Sequence, residues 1–205
     1  MDLQIKWPVK GAKMFVDGGE YYEFAHFGWG NVATEFHGYM DAYREAADVV
    51  LANALASRDI SLLDTHVYPI LFLYRQHVEL ALKWLYLLSS EDTDEVKSQF
   101  LKTAGHDLME VWEKVKPLLL KTSSHTDSER VEAADGYVRQ MHDFDTSSFT
   151  FRYPIRKDLA RVTSQERRLN LRVVGERMRE LGTFLDAAMD HLTAMRDEMP
   201  TLADL

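Results

Sequence analysis

The sequence predicts an all-α protein, an up-and-down helical bundle with an aromatic-rich, partly extended N-terminal arm. From Asn31 onward apolar residues recur at three- and four-residue steps, the spacing that places them on one helix face. No internal repeat and no linker divides the chain after that point. Residues 1–30 break the pattern, with seven aromatic residues and five glycines in place of helical periodicity. The expected organisation is therefore an arm over 1–30 packed on the bundle, a bundle over 31–199 and a tail over 200–205.

In the arm, LQIKW and AKMFV alternate roughly, and Asp17-Gly18-Gly19 is a turn signal. Short strands or irregular structure are expected, with Trp7, Phe15, Tyr21, Tyr22, Phe24, Phe27 and Trp29 buried against the main domain. The first helix starts at Asn31, a good N-cap, and runs to about Ser57 with Val32, Phe36, Met40, Ala47, Val50 and Ala54 on one face. The second covers about 60–89 and is apolar on most sides, the mark of a central buried helix. Pro69 removes one backbone donor there and predicts a kink or an early-turn position.

A short helix over about 94–103 stops at Gly105, and another runs from His106 to about Thr122. A polar loop, Thr122 to Ser128, leads to a helix over about 128–142. SSFTFR at 147–152 alternates and is rich in β-branched and aromatic residues, so an extended piece is expected before Pro154. The last helix is placed at about 166–197, with Leu171, Val174, Met178, Leu181, Leu185 and Met189 facing the core.

Composition narrows the function classes. The chain has 205 residues, 46% hydrophobic and 28% charged, enough for one sizeable core. Its net charge of −9 argues against whole-protein attraction to nucleic acid or anionic membrane. It has no cysteine, which excludes disulfides, thiolate-held metals and a cysteine nucleophile. The start, MDLQIKWPVK, lacks the apolar stretch of a signal peptide, and the longest apolar run, Val67 to Tyr74, is far short of the ~20 residues of a membrane span. A cytoplasmic protein with no membrane association is expected.

Most chemical motifs are absent. Gly28-Trp-Gly30-Asn-Val-Ala33 fits a dinucleotide fingerprint in letters but lacks the surrounding βαβ unit. The eight histidines are scattered, and none pairs with another at i+3 or i+4, so no helix presents a two-histidine metal face. No metal and no cofactor are expected. Two charge patterns remain. Arg75, Glu79 and Lys83 stand four residues apart on the central helix, with Gln76 and His77 beside them. Polar groups there need partners, so the ladder is read as an ion-pair network, with a polar groove or dimer seam as the alternative. The segment 152–179 holds nine cations and three acids, net +6, which leaves −15 on the rest. Arg156, Lys157, Arg161, Arg167 and Arg168 are its candidates for binding nucleic-acid phosphates.

The segment Tyr74-Arg75-Gln76-His77-Val-Glu79-Leu-Ala-Leu-Lys83 resembles the central helix of the HEPN superfamily. Gly105-His106-Asp107-Leu108, followed by Trp112, is similar to that family's "tHdL" helix start, and Phe151-Arg152-Tyr153-Pro154 to its "RYP" segment. Together these span roughly residues 60–195. The resemblance implies an up-and-down bundle, commonly dimeric, from toxin–antitoxin and phage-defence loci. It also implies that active members are metal-independent ribonucleases carrying Arg-x(4–6)-His. No arginine here has a histidine five to seven positions on. Metal-free RNA cleavage needs a base near the 2′-hydroxyl and a cation on the phosphate. The catalytic candidates are Arg75, His77, Glu79, His106 and Arg152, brought together from different helices. The reading is a non-catalytic HEPN-like module binding a protein or RNA partner in a prokaryotic defence, toxin–antitoxin or stress system, with a homodimer expected. The alternatives are a metal-independent ribonuclease toxin with a rearranged site and a structural homodimeric subunit. Arg75, Glu79 and His106 are expected to share one polar pocket or seam.

Overall fold

A computed structural model describes residues 6–122, 125–146, 148–155, 158–162 and 166–197. It is an all-α bundle of α1 (Val32–Ser57), α2 (Ile60–Ser89), α3 (Asp94–Ala104), α4 (Leu108–Thr122), α5 (His125–Phe144) and α6 (Leu171–Asp197). Among the described residues the only β pairing is an isolated bridge between Ile155 and Arg161.

Local chemistry sets the helix ends. Asn31 accepts from the Thr34 backbone N–H to open α1. Only Arg58 and Asp59 separate α1 from α2: Arg58 adopts the left-handed conformation, and Asp59 caps α2 through the Ser61 N–H. The two helices therefore form a tight antiparallel hairpin. Pro69 lies at the tenth residue of α2, inside a helix that continues on both sides of it. Thr93 caps α3, and Gly105, at φ +56°, turns the chain sharply into α4. Asp107 accepts from the N–H groups of Met109 and Glu110 at the start of α4.

The core lies around α2. Ile70, Val78, Ala81, Leu82 and Leu85 are wholly buried there, against Trp112 and Val115 of α4 and Leu185 of α6. α2 packs on α1, α4 and α6, which is why its sequence is apolar nearly all round. Gly175 and Gly182, seven residues apart on α6, let that helix approach α1 closely. A Cβ at Gly175 would collide with Leu51, and one at Gly182 would meet the Arg44 guanidinium at 3.1 Å.

Four expectations need correction. The arm's aromatics do not pack on the bundle: Trp7, Phe15, Tyr21, Tyr22, Phe27 and Trp29 are all exposed, by 62% to 94%. Over 148–152 the chain is a turn rather than an extended piece (Ser147 lies outside the described residues). Asp145 accepts from the N–H groups of Phe149 and Thr150, while Arg152 and Tyr153 both donate to the Phe149 carbonyl. Asx-type hydrogen bonding has overridden β-propensity. The last helix begins at Leu171, because Asn170 caps it through the Arg172 and Val173 N–H groups. The expected polar loop at 122–128 is shorter, since α5 already starts at His125.

Leu82→Ala is expected to cost about 2–5 kcal/mol, because it empties a fully buried site between α2 and its neighbours. Val49→Ala, on the exposed side of α1, should change stability by no more than about 0.5 kcal/mol. Urea denaturation of both variants compares the two directly.

Candidate functional site

The polar strip of α2 is the centre of a buried network. Arg75 has no solvent exposure. Its Nη1 donates to Glu79 Oε2 at 3.0 Å, its Nε to the Asp145 carbonyl at 3.3 Å, and its Nη2 to the His106 carbonyl. The Asp145 carboxylate stands 3.8 Å from Nε. Glu79 also accepts from Lys83 Nζ at 2.7 Å and contacts His106 Nδ1 at 2.9 Å through the same oxygen. Gln76 donates to Ser148 Oγ at 3.0 Å. One guanidinium thus joins α2, the turn into α4 and the connection between α5 and α6.

Electrostatics follow from this crowding. Burial would raise the Glu79 carboxyl, but the hydrogen bonds and charges of Lys83, His106 and Arg75 outweigh it and hold the group below the ordinary carboxylate range. Burial lowers the Arg75 guanidinium, against the opposing pull of Glu79 and Asp145. A guanidinium remains charged under such a shift, so the strip carries permanent ion pairs.

The structure brings Arg75, Glu79 and His106 together. Arg152 stands one step away, its Nε donating to the Ser148 carbonyl beside Gln76. His77 belongs to a different place. It is buried on another side of α2, with Nδ1 3.0 Å from the Met40 carbonyl, which assigns the ring proton to Nδ1. Its Nε2 has no partner and lies near Arg44 and Gly182. Burial pushes its pKa down, the Met40 carbonyl raises it, Arg44 lowers it further, and Asp186 and Asp41 oppose that. Arg44 itself pairs with Asp186 at 2.6 Å and Asp41 at 3.0 Å. Asp145 and Ser148 were not identified from the sequence; no periodicity or motif connects them with a helix some seventy residues away.

Of the basic candidates, Arg156 and Lys157 lie outside the described residues. Arg161, Arg167 and Arg168 are exposed, as is Arg172 at the start of α6. Arg167 stacks over Phe144, 5.1 Å from the ring centre, and Phe144 stacks on Phe151 at 5.5 Å. Phe149 and Tyr153 form a second ring pair at 4.6 Å, with Arg152 beside Tyr153. Arg177 is instead paired within α6, to Glu180 at 2.9 Å. Because α6 starts at Leu171, Arg167 and Arg168 belong to the connection and not to a helix face.

Gly28 and Gly30 have positive φ values in a loop that leads into α1 with no strand before it among the described residues, so the dinucleotide fingerprint has no structural counterpart there. Among the described residues no group of three or more His, Asp or Glu is placed to hold a metal ion. No helix among them is long and apolar enough to cross a membrane. The chain matches no protein-family model, no curated protein and no solved structure.

Replacing Arg75 with Met should destabilise the fold by about 3–5 kcal/mol, since it leaves Asp145 and half of Glu79 buried without their cation. The double variant Arg75→Met/Glu79→Gln should recover part of that loss in urea denaturation. A second expectation concerns pH. The folded chain favours neutral His77, whereas the unfolded chain titrates near 6.5. The contribution of His77 is complete above about pH 6.5 and falls as pH drops toward the lowered folded value, because the unfolded state then binds the extra proton. His77→Gln should flatten the decline in melting temperature between about pH 6.5 and 5.

Proposed function

We propose that the chain is a non-catalytic HEPN-like module that binds RNA through the α5–α6 connection, in a prokaryotic defence, toxin–antitoxin or stress system. The observation that carries this reading is the set of exposed arginines on and beside that connection. Arg161, Arg168 and Arg172 have no acidic partner among the described residues, and they stand in one segment with the ring pairs Phe144/Phe151 and Phe149/Tyr153. Guanidinium groups hold phosphates, and half-exposed rings such as Tyr153 stack bases, so the combination suits single-stranded RNA. It also supplies the local positive charge that a chain of net −9 needs to approach an anion.

The non-catalytic part of the reading rests on Arg75. A cation with no exposure and three fixed acceptors cannot reach a scissile phosphate without dismantling the network around it. Of the segments that carry the HEPN resemblance, Gly105-His106-Asp107-Leu108 makes the α3–α4 turn and Phe151-Arg152-Tyr153-Pro154 precedes the last helix.

One observation favours the ribonuclease alternative. The His106 side chain is 53% exposed, and the buried Glu79 carboxylate holds its Nδ1, so its other nitrogen faces outward as an oriented base or acid. Incubation of the protein with single-stranded RNA in the presence of a chelator separates the two. The proposal expects no cleavage. Cleavage that His106→Ala abolishes would replace it with the catalytic reading.

Binding is tested by fluorescence anisotropy with a labelled single-stranded RNA across a salt series. Affinity should fall steeply with salt, and each phosphate contact removed should reduce the log–log slope by about 0.7. Arg167→Glu/Arg168→Glu should weaken binding to all sequences alike and lower the melting temperature only slightly, because both residues are exposed on a connection and only the Arg167–Phe144 stack is lost. A lowered melting temperature with unchanged RNA affinity would overturn the nucleic-acid reading.

A further inference from the structure

Two features of the molecule remain unfilled. The first is a groove of about 600 Å³ between α5 and α6, floored by Val131, Ala134 and Leu181 and flanked by Ala133, Phe184 and Ala187. Its volume falls within the roughly 300–1,000 Å³ of pockets that receive drug-sized ligands. The second is the arm. Seven aromatic side chains between residues 7 and 29 are exposed, a larger apolar display than an isolated soluble chain usually carries.

We infer that the groove receives the aromatic arm of a second copy of this chain, and that two copies exchange arms reciprocally. Reach comes first. Arg44 pairs with Asp186, and Leu51 meets the position of Gly175, so α1 and α6 run antiparallel. The start of α1 therefore lies at the end of the bundle where α6 finishes, which is also the His191 end of the groove. The described arm, residues 6–30, spans up to about 3.3–3.6 Å per residue when extended, more than enough to leave one bundle and follow a groove on another. Its own groove is also within reach, yet its rings lie exposed in the single chain.

Charge gives the arm a direction. Lys6, Lys10 and Lys13 precede Asp17, Glu20 and Glu23 in the arm. The groove has Arg130 and His191 at one end, which seats the acidic half of the arm there. Area is sufficient as well. Buried aromatic side chains cover about 150–250 Å² each, so three rings from each of two arms remove about 900–1,500 Å² from the arms alone. A stable interface needs roughly 1,000 Å² in total. Reciprocal exchange closes with two-fold symmetry and leaves no unfilled groove, so it yields a dimer and not a chain of copies.

The test uses the full chain, with Tyr22→p-benzoylphenylalanine as a photo-crosslinking probe in an equal mixture of unlabelled and ¹⁵N-labelled protein. The expected result is a cross-link from position 22 to groove residues of α5 or α6 that joins one labelled and one unlabelled chain. Light scattering should show a dimer that Ala187→Glu weakens about ten-fold or more, since the exposed rim of the groove then carries a charge where an apolar ring must sit. Phe15→Ser/Tyr22→Ser should do the same. Neither residue touches the core, so the melting temperature should not fall at low concentration, where the chains are already apart. Cross-links confined to single chains would overturn the inference by making the arm's own groove its seat. A monomer at every concentration, or a dimer indifferent to both variants, would overturn it equally.

Discussion

A guanidinium without access to water must find its hydration shell inside the protein, and Arg75 finds it in three places, one a turn away on its own helix and two distant in sequence. The α2 carboxylate of Glu79, the His106 carbonyl at the α3–α4 turn and the Asp145 carbonyl at the end of α5 each take one of its nitrogens. Leaving any of these directions empty would strand a buried charge. The constraint therefore fixes more than a local pair. The Gly105 turn must present the His106 carbonyl inward, and α5 must end where Asp145 can face α2. Glu79 completes the design by drawing in Lys83 and His106, so a single buried carboxylate is balanced by two α2 cations and an imidazole.

The same network explains the shape of the α5–α6 connection. Asp145 faces Arg75, and its side chain also organises the following turn by accepting from Phe149 and Thr150. Ser148 is held by Gln76, and its carbonyl holds Arg152. These contacts anchor Asp145, Ser148, Phe149, Thr150 and Arg152 at the start of the connection. Beyond Tyr153 the described residues pair among themselves, through the Ile155–Arg161 bridge and the Val162 N–H to the Pro154 carbonyl, and Arg161, Arg167 and Arg168 are exposed. A basic, ring-bearing loop on a rigid base is a reasonable way to present cations from an acidic protein, because the anchoring removes conformational freedom before any ligand arrives.

What the sequence revealed depended on whether the governing interaction was local. The helices of the bundle were legible because 3.6-residue periodicity is a local property, and the Arg75–Glu79–Lys83 ladder because i, i+4 spacing is one too. His106 could be joined to that ladder because a helix start carries free N–H groups that favour an acidic partner, although the contacts it makes are through its carbonyl to Arg75 and its Nδ1 to Glu79. Asp145 and Ser148 could not, since their partners lie about seventy residues away and nothing in FDTSSF marks them. SSFTFR turns rather than extends for a related reason: β-propensity describes a residue in a sheet, and no second strand stands among the described residues for it to join. Arg167 and Arg168 fit a helix by composition, while the Asn170 cap that excludes them is a single side chain. The arm's aromatics were assigned to the bundle on the usual behaviour of large rings, which assumes that a seat exists in the same chain.

The two sides of the bundle differ in how tightly they close, and side-chain size accounts for it. On the α1–α6 side Gly175 and Gly182 bring backbones together, and Arg44 and Tyr74 fill the remaining space through Asp186 and Asp48. On the α5–α6 side the contact is pinned at one end by Tyr137, Glu180 and Arg177. Toward the other end, alanines at 133, 134, 187 and 188 are too short to meet across the gap that the pin sets. α5 meanwhile is held to α4 by Asp135, which accepts from Trp112 and Arg139 and pairs with Lys116. Arg139 above all, with Trp112 and Lys116, keeps that carboxyl ionised well below the ordinary range, so this attachment does not relax under mild acid. With α5 fixed on one side and pinned on the other, the bundle cannot collapse to close the groove by itself. Space flanked by alanines between two helices held apart in this way is stable only when something apolar occupies it or when its exposure is tolerated, and the same chain carries seven exposed aromatic rings in its arm.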